Sequence, residues 1–180
     1  MIHVIGTSHS LQVWSDARRA NSEVASRMRA FETYLAGAVM ALQAEVIAEE
    51  NDAEFVDCHG PGASSVAMDV AQRLGLQHVY CDADRSERRA MGLKFGSELV
   101  EHAMAVARRT GEDWNDVWQQ KVRDQFPVRE AAWIERLNLH GCAGREVVFV
   151  CGADHATSFK GSLEAADLAA SVYCADWTEL

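Results

Sequence analysis

The sequence predicts an α/β protein with a mainly parallel central sheet flanked by helices, and two observations carry that expectation. First, short β-branched and aromatic runs alternate along the chain with longer stretches whose apolar residues recur at threes and fours. Glu146-Val147-Val148-Phe149-Val150-Cys151 is the clearest of the short runs, continuous enough for a strand buried on both faces. Second, a strand followed by Gly-x-x-His occurs twice. His3-Val4-Ile5 leads into Gly6-Thr7-Ser8-His9, and the 146–151 run leads into Gly152-Ala153-Asp154-His155. In an open parallel sheet, ligands lie outside the carboxyl ends of the strands, so the two histidines are expected to face one cleft.

Taken in order, residues 10–21 read as a polar loop whose bulky members are Trp14, Arg18 and Arg19. A helix follows from about Ser22, with Val24, Met28, Phe31, Leu35, Val39 and Leu42 on one stripe. Glu45-Val46-Ile47-Ala48 is the second strand and ends in Glu49-Glu50. Residues 51–63 read as loop around Gly60-Pro61-Gly62. Ser64 or Ser65 then caps a helix bearing Val66, Val70 and Leu74, which Gly75 closes. The third strand, His78-Val79-Tyr80-Cys81, runs into Asp82-Ala83-Asp84-Arg85.

A helical insertion, roughly residues 86–140, separates the third strand from the fourth. It comprises one long stretch to about Arg109, a second carrying Trp114, Val117, Trp118, Val122 and Phe126, and a third opening at Pro127. After the 146–151 strand, residues 163–168 are helical and the chain closes on a strand at residues 169–174.

The 180 residues read as one domain, 1–180, able to bury about 70% of its unfolded surface. A net charge of −10 argues against long nucleic acid and anionic membranes as partners, since both call for positive fields. The residues before Gly6 are too few for a signal sequence, and no run has membrane length. Five cysteines without C-x-x-C spacing suggest reduced thiols in the cytoplasm. No Gly-rich phosphate or dinucleotide loop is present, so no nicotinamide, flavin or nucleotide cofactor is expected. Trp114, Trp118, Phe126 and Trp133 give the insertion a heavy aromatic load, partly core and partly, on this reading, a homodimer contact.

The order of motifs resembles the superfamily that joins the TraB/PrgY pheromone-shutdown proteins, the Tiki proteases and the erythromycin esterases. Gly6-Thr7-Ser8-His9 matches its N-terminal Gly-x-x-His, and Gly152-Ala153-Asp154-His155 its last one, with Asp154 where a small residue is frequent. Glu49, or Glu50 one residue on, aligns with its strand-end Glu. Asp84-Arg85, followed by Arg88 or Arg89, resembles its Asp-Arg step, and Arg129-Glu130 its later Arg-Asp step, with Glu in place of Asp.

The resemblance implies a hydrolase in which His9, Glu49, His155, Arg129 and Glu130 are catalytic, and Arg85, Arg89, Lys160 and Glu50 hold substrate. Tiki-like members are metal-dependent proteases, whereas the erythromycin esterases use His and Glu as general base without metal. Two imidazoles and a carboxylate suit a catalytic divalent ion such as Mn, Co or Zn, so His9, Glu49 and His155 are the expected ligands. The expected substrate is a small molecule or peptide, anionic or strongly polarised, cleaved at a peptide or ester bond. A phosphodiesterase for a small nucleotide and a non-catalytic ligand-binding module are the alternatives.

Overall fold

The structure is a computed structural model that describes residues 1–94 and 96–178. In chain order the elements are β1 (Ile2–Thr7), β2 (Val13–Trp14), α1 (Asp16–Ala20), α2 (Ser22–Ala41), β3 (Val46–Glu49), α3 (Ala53–Asp57), β4 (Ser64–Ser65), α4 (Val66–Leu74) and β5 (Gln77–Tyr80). They continue through α5 (Arg85–Ala90), α6 (Ser97–Thr110), α7 (Trp114–Arg123), α8 (Phe126–Leu139), β6 (Val147–Gly152), α9 (Ala156–Ala165) and β7 (Ala170–Trp177). Single 3₁₀ turns occupy His9–Leu11 and Ala153–His155.

Strands β5-β3-β6-β1-β7 lie side by side in that order, and every pairing is parallel. Both faces of the central strands β3, β6 and β1 are buried, which is why these strands read as near-continuous apolar runs. Ile5, Ile47, Val148 and Val150 pack under α2 and α4, with Met28, Phe31, Leu35 and Val70. The alternate residues Val4, Val46, Ala48, Val147, Phe149 and Cys151 face α8 and α9, with Trp133, Leu137, Phe159 and Leu163. The helices that follow β1 and β3 thus cover one face, and those flanking β6 cover the other. The winding reverses beside β6, and the register sets Thr7 opposite Gly152 and Glu49 opposite Val150. The carboxyl ends of β1, β6 and β3 therefore meet at one place, the position where such sheets bind ligands.

Three loop or helix expectations are corrected. Residues 10–21 are not simply loop: Leu11, Val13 and Trp14 are buried, β2 pairs antiparallel with β4, and Ser15 caps α1. Within residues 51–63, Asp52 caps the short helix α3 by accepting from the Phe55 amide at 2.8 Å. The stretch expected to run unbroken to Arg109 is two helices, α5 and α6, because a turn at Met91-Gly92 intervenes. The Asp84–Glu87 capping box fixes where α5 starts.

Of the insertion's aromatics, Phe126 and Trp133 are core residues, while Trp114 is half exposed. Trp118 leans on a small cluster of Ala103, Ala107 and Val117, through which α6 and α7 pack chiefly on each other. Among the described residues no helix is long and apolar enough to cross a membrane.

Close backbone approach explains the first motif glycine. A Cβ on Gly6 would stand 2.0 Å from the Ala175 carbonyl oxygen of β7 and 3.0 Å from the Ala153 Cα. Neither obstacle is a flexible side chain, so β1 and β7 would have to separate. Gly6→Ala is expected to cost about 2–3 kcal/mol in urea unfolding, in the range for overpacked sites. Gly37→Ala in α2, with nothing within 4 Å of the new methyl, serves as the control and should gain about 0.5–1 kcal/mol.

Candidate active site

Just beyond β1, Ser8 caps the 3₁₀ turn, and the chain carries His9 back over the end of β6. A Cβ on Gly152 would lie 2.5 Å from His9 Cε1 and 2.7 Å from its Nε2. The second motif glycine is therefore the seat of the first motif histidine. The imidazole is 63% exposed, yet its Nδ1 lies 2.6 Å from Oε1 of Glu50, a side chain only 2% exposed. The same oxygen accepts from the Gly152 amide at 2.7 Å and from Gln12 Nε2 at 3.3 Å.

Burial opposes ionisation of Glu50. The His9 hydrogen bond, the His9 charge and that of Arg129 outweigh it and hold the carboxyl down at about 2. His9 is raised above its usual 6.5 by its hydrogen bond to Glu50 and by that group's charge, against burial and the repulsion of Arg129.

His155 ends the turn before α9 and is buried. Phe126 stacks on it with centroids 3.6 Å apart, and Trp133 stands at 4.8 Å. Its Nδ1 meets Glu130 Oε1 at 3.0 Å, and its Nε2 meets Arg129 Nη1 at 3.3 Å. A guanidinium only donates, so these partners assign a neutral ring, protonated at Nδ1 and accepting at Nε2. Glu130 also accepts from Ser158 at 2.5 Å and Ser162 at 2.6 Å. Despite its burial, these bonds and His155 keep its pKa low.

Arg129 is the hub between the two histidines. Its Nη2 donates to Asp82 Oδ2 at 2.6 Å and lies 3.9 Å from Glu50 Oε2, with the guanidinium 5.1 Å over the Trp133 ring. Asp82 is held in turn by Arg88 at 2.7 Å, Trp133 Nε1 at 3.2 Å and the Ala83 amide at 3.0 Å. An open cleft of about 310 Å³ adjoins this assembly, lined by His9, Glu50, Asn51, Phe55, Asp82, Arg88 and Arg129.

Several expected site residues lie elsewhere. Glu49 is wholly buried on the opposite face, where it takes the Ser65 hydroxyl and meets His78 Nε2 and Asn51 Nδ2, each at 2.6 Å. Strand alternation is the cause: Glu49 shares the face of Ile47 under α4, and Glu50 falls on the face of Ala48. Arg85 is exposed and stands 3.8 Å from Glu54. Arg89 is exposed on α5, one residue out of phase with Arg88, which lines the cleft. Lys160 makes a surface pair with Glu164 at 2.6 Å.

A metal ion held by His9, Glu49 and His155 does not fit. Glu49 points away from the other two, and both His155 nitrogens are engaged, one by a cation. Among the described residues no three His, Cys, Asp or Glu side chains are grouped to hold an ion. Gln12 and Asp82 belong to the site without having been expected there, and of the alternatives Arg88 and Arg89 it is Arg88 that lines the cleft. Asp82 carried one signal, a carboxylate at the end of a parallel strand. No family model, no curated protein and no solved structure matches the chain.

The signs of the two pKa displacements define a pH window. Stability from the raised His9 pKa is present below the unfolded value of 6.5 and is lost as pH rises through the folded one. Stability from the lowered Glu50 pKa is present above 4.5 and is lost as pH falls toward about 2. An NMR titration should place His9 above 6.5 and return it toward 6.5 in Glu50→Gln. Gly152→Ala should do the same with some loss of stability, because its methyl displaces the ring that pairs with buried Glu50 and lies 3.2 Å from Glu50 Oε1. A His9 titration unmoved by both substitutions would contradict the pairing.

Proposed function

We propose that the chain is a hydrolase that transfers the acyl group of a neutral, polarised ester to water. The observation that carries this reading is an exposed imidazole tied through Nδ1 to a buried, strongly acidic carboxylate at the mouth of a cleft. That pairing is the orienting half of a general-base site.

In the proposed reaction, neutral His9 donates its Nδ1 proton in the hydrogen bond to Glu50. Its Nε2 takes a proton from a water molecule as the water oxygen bonds to the substrate carbonyl carbon. Glu50 stabilises the imidazolium that forms. Arg129, anchored by Asp82 and His155, faces the oxyanion. When the carbon–alkoxide bond breaks, His9 returns its proton to the leaving oxygen, giving an acid and an alcohol. His155 and Glu130 act by holding Arg129 and not on the substrate.

The charge pattern narrows the substrate class. Arg88 faces Asp82 and Asp52, and Arg129 faces Asp82 and Glu50, so the cleft has little surplus positive charge for an anion. This favours a neutral carbonyl over an anionic acyl group or a phosphodiester. It also sits with the metal-free branch of the resemblance, the esterases. A homodimer through the exposed face of Trp114 is a separate proposal, which light scattering at micromolar concentration decides.

A panel of neutral p-nitrophenyl and alkyl esters tests the reading. Turnover should rise with pH as His9 loses its proton, through a value above 6.5. His9→Ala should lower kcat by about a thousandfold or more, and Arg129→Gln by about a hundredfold, while His9→Ala, which leaves the buried Glu50 carboxylate without its imidazole, should also lower thermal stability but keep the fold. Equal rates for wild type and His9→Ala would sink it.

A further inference from the structure

Gln12 falls in the segment that reads as loop from sequence, yet its side chain is only 2% exposed. A carboxamide taken out of water needs both ends hydrogen-bonded. Its Nε2 donates to Glu50 Oε1 at 3.3 Å, and its Oε1 accepts from Asn51 Nδ2 at 3.4 Å. Its backbone is held as well, donating to the His9 carbonyl at 3.3 Å and accepting from the Val66 amide at 2.8 Å. The Asn51 amide also donates to Glu49, which faces His78. A buried chain of hydrogen bonds thus runs from His9 through Glu50, Gln12, Asn51 and Glu49 to His78.

The chain fixes which way the Gln12 amide points. Turned over, it would set oxygen against the Glu50 carboxylate and NH₂ against the Asn51 NH₂, an unfavourable contact at both ends. The far end of the chain is equally constrained, since Glu49 is fully buried and its oxygens meet Ser65, His78 and Asn51. The near end has an alternative. Glu50 Oε2 is buried without a hydrogen bond, and Arg129 Nη2 stands only 3.9 Å from it.

We propose that Gln12 is a positioning residue: it holds the Glu50 carboxylate turned toward His9 and away from Arg129. The Glu49–His78 pair, acting through Asn51, is the anchor that sets its orientation. The proposal rests on the reading of His9 and Glu50 as the reacting pair. Without the Gln12 donor, Glu50 Oε1 keeps only the Gly152 amide and His9 as partners, so the carboxylate turns more readily toward Arg129 and the imidazole is held less firmly in its tautomer. Arg129 and Asp154 are the other charged groups that act on His9, and neither is altered by replacing Gln12.

The test is ¹⁵N NMR of the histidine side chains in the full chain carrying Gln12→Met, which keeps the length and removes both polar ends. His9 should titrate about half a pH unit lower than in wild type, and its protected Nδ1–H signal should vanish. On an ester that wild type turns over, kcat should fall about tenfold while KM stays within about twofold. Asn51→Ala, which leaves Gln12 in place but frees its orientation, should move His9 in the same direction and covers the case in which Gln12→Met does not fold. An unchanged His9 titration and a retained Nδ1–H signal in folded Gln12→Met overturn the proposal. Wild-type protein inert toward every ester removes the hydrolase reading alone, because the imidazole titration still decides what Gln12 does.

Discussion

A carboxylate removed from water must find a cation or several donors, and the end of β3 buries two in succession. Because consecutive strand residues point to opposite faces, Glu49 and Glu50 cannot share a partner. Each draws a histidine from a neighbouring part of the sheet: Glu49 meets His78 on β5, and Glu50 meets His9 just beyond β1. The path of the chain after β1, the burial of Gln12 and Asn51, and the glycine at residue 152 all follow from satisfying this pair of charges. The cleft exists where it does because only the Glu50 side opens to solvent.

The same rule recurs through the molecule. His155 is matched by Glu130, and His3, on the amino-terminal side of the sheet, by Glu146 at 2.9 Å with Ser171 on its other nitrogen. What separates His9 from these is exposure. Paired imidazoles enclosed by protein serve packing and orientation, whereas an accessible one retains a nitrogen for chemistry. Arg129 links the two kinds, touching the enclosed His155 while bordering the cleft that holds His9.

Much of this was legible in the residues themselves. β-Branched runs marked the sheet because both faces of its central strands are covered, and Gly-x-x-His marked the two strand ends because each glycine clears room for a specific neighbour. What escaped was phase. A strand end is uncertain by one residue, and one residue exchanges the cleft acid Glu50 for the anchor Glu49. A helix start is uncertain by as much, and that exchanges Arg88 for Arg89. Gln12 escaped for another reason: a short polar segment gives no periodicity from which to read burial. Asp82 was visible at its strand end, but its role depends on Arg129, 47 residues away along the chain.

The small cluster that joins α6 to α7 is a separate hydrophobic unit beside the two large ones. Its buried members are two alanines and a valine, too little apolar surface to tie the hairpin firmly to the sheet. We expect the hairpin to open locally more readily than the sheet, which faster amide exchange in α6 and α7 than in the central strands would show. Leu99 and Val122 on this unit line a second hollow that also includes Arg88 and Arg129. On that expectation, the side chains of the hairpin next to the arginine yield sooner than the strands that carry the histidine's partner.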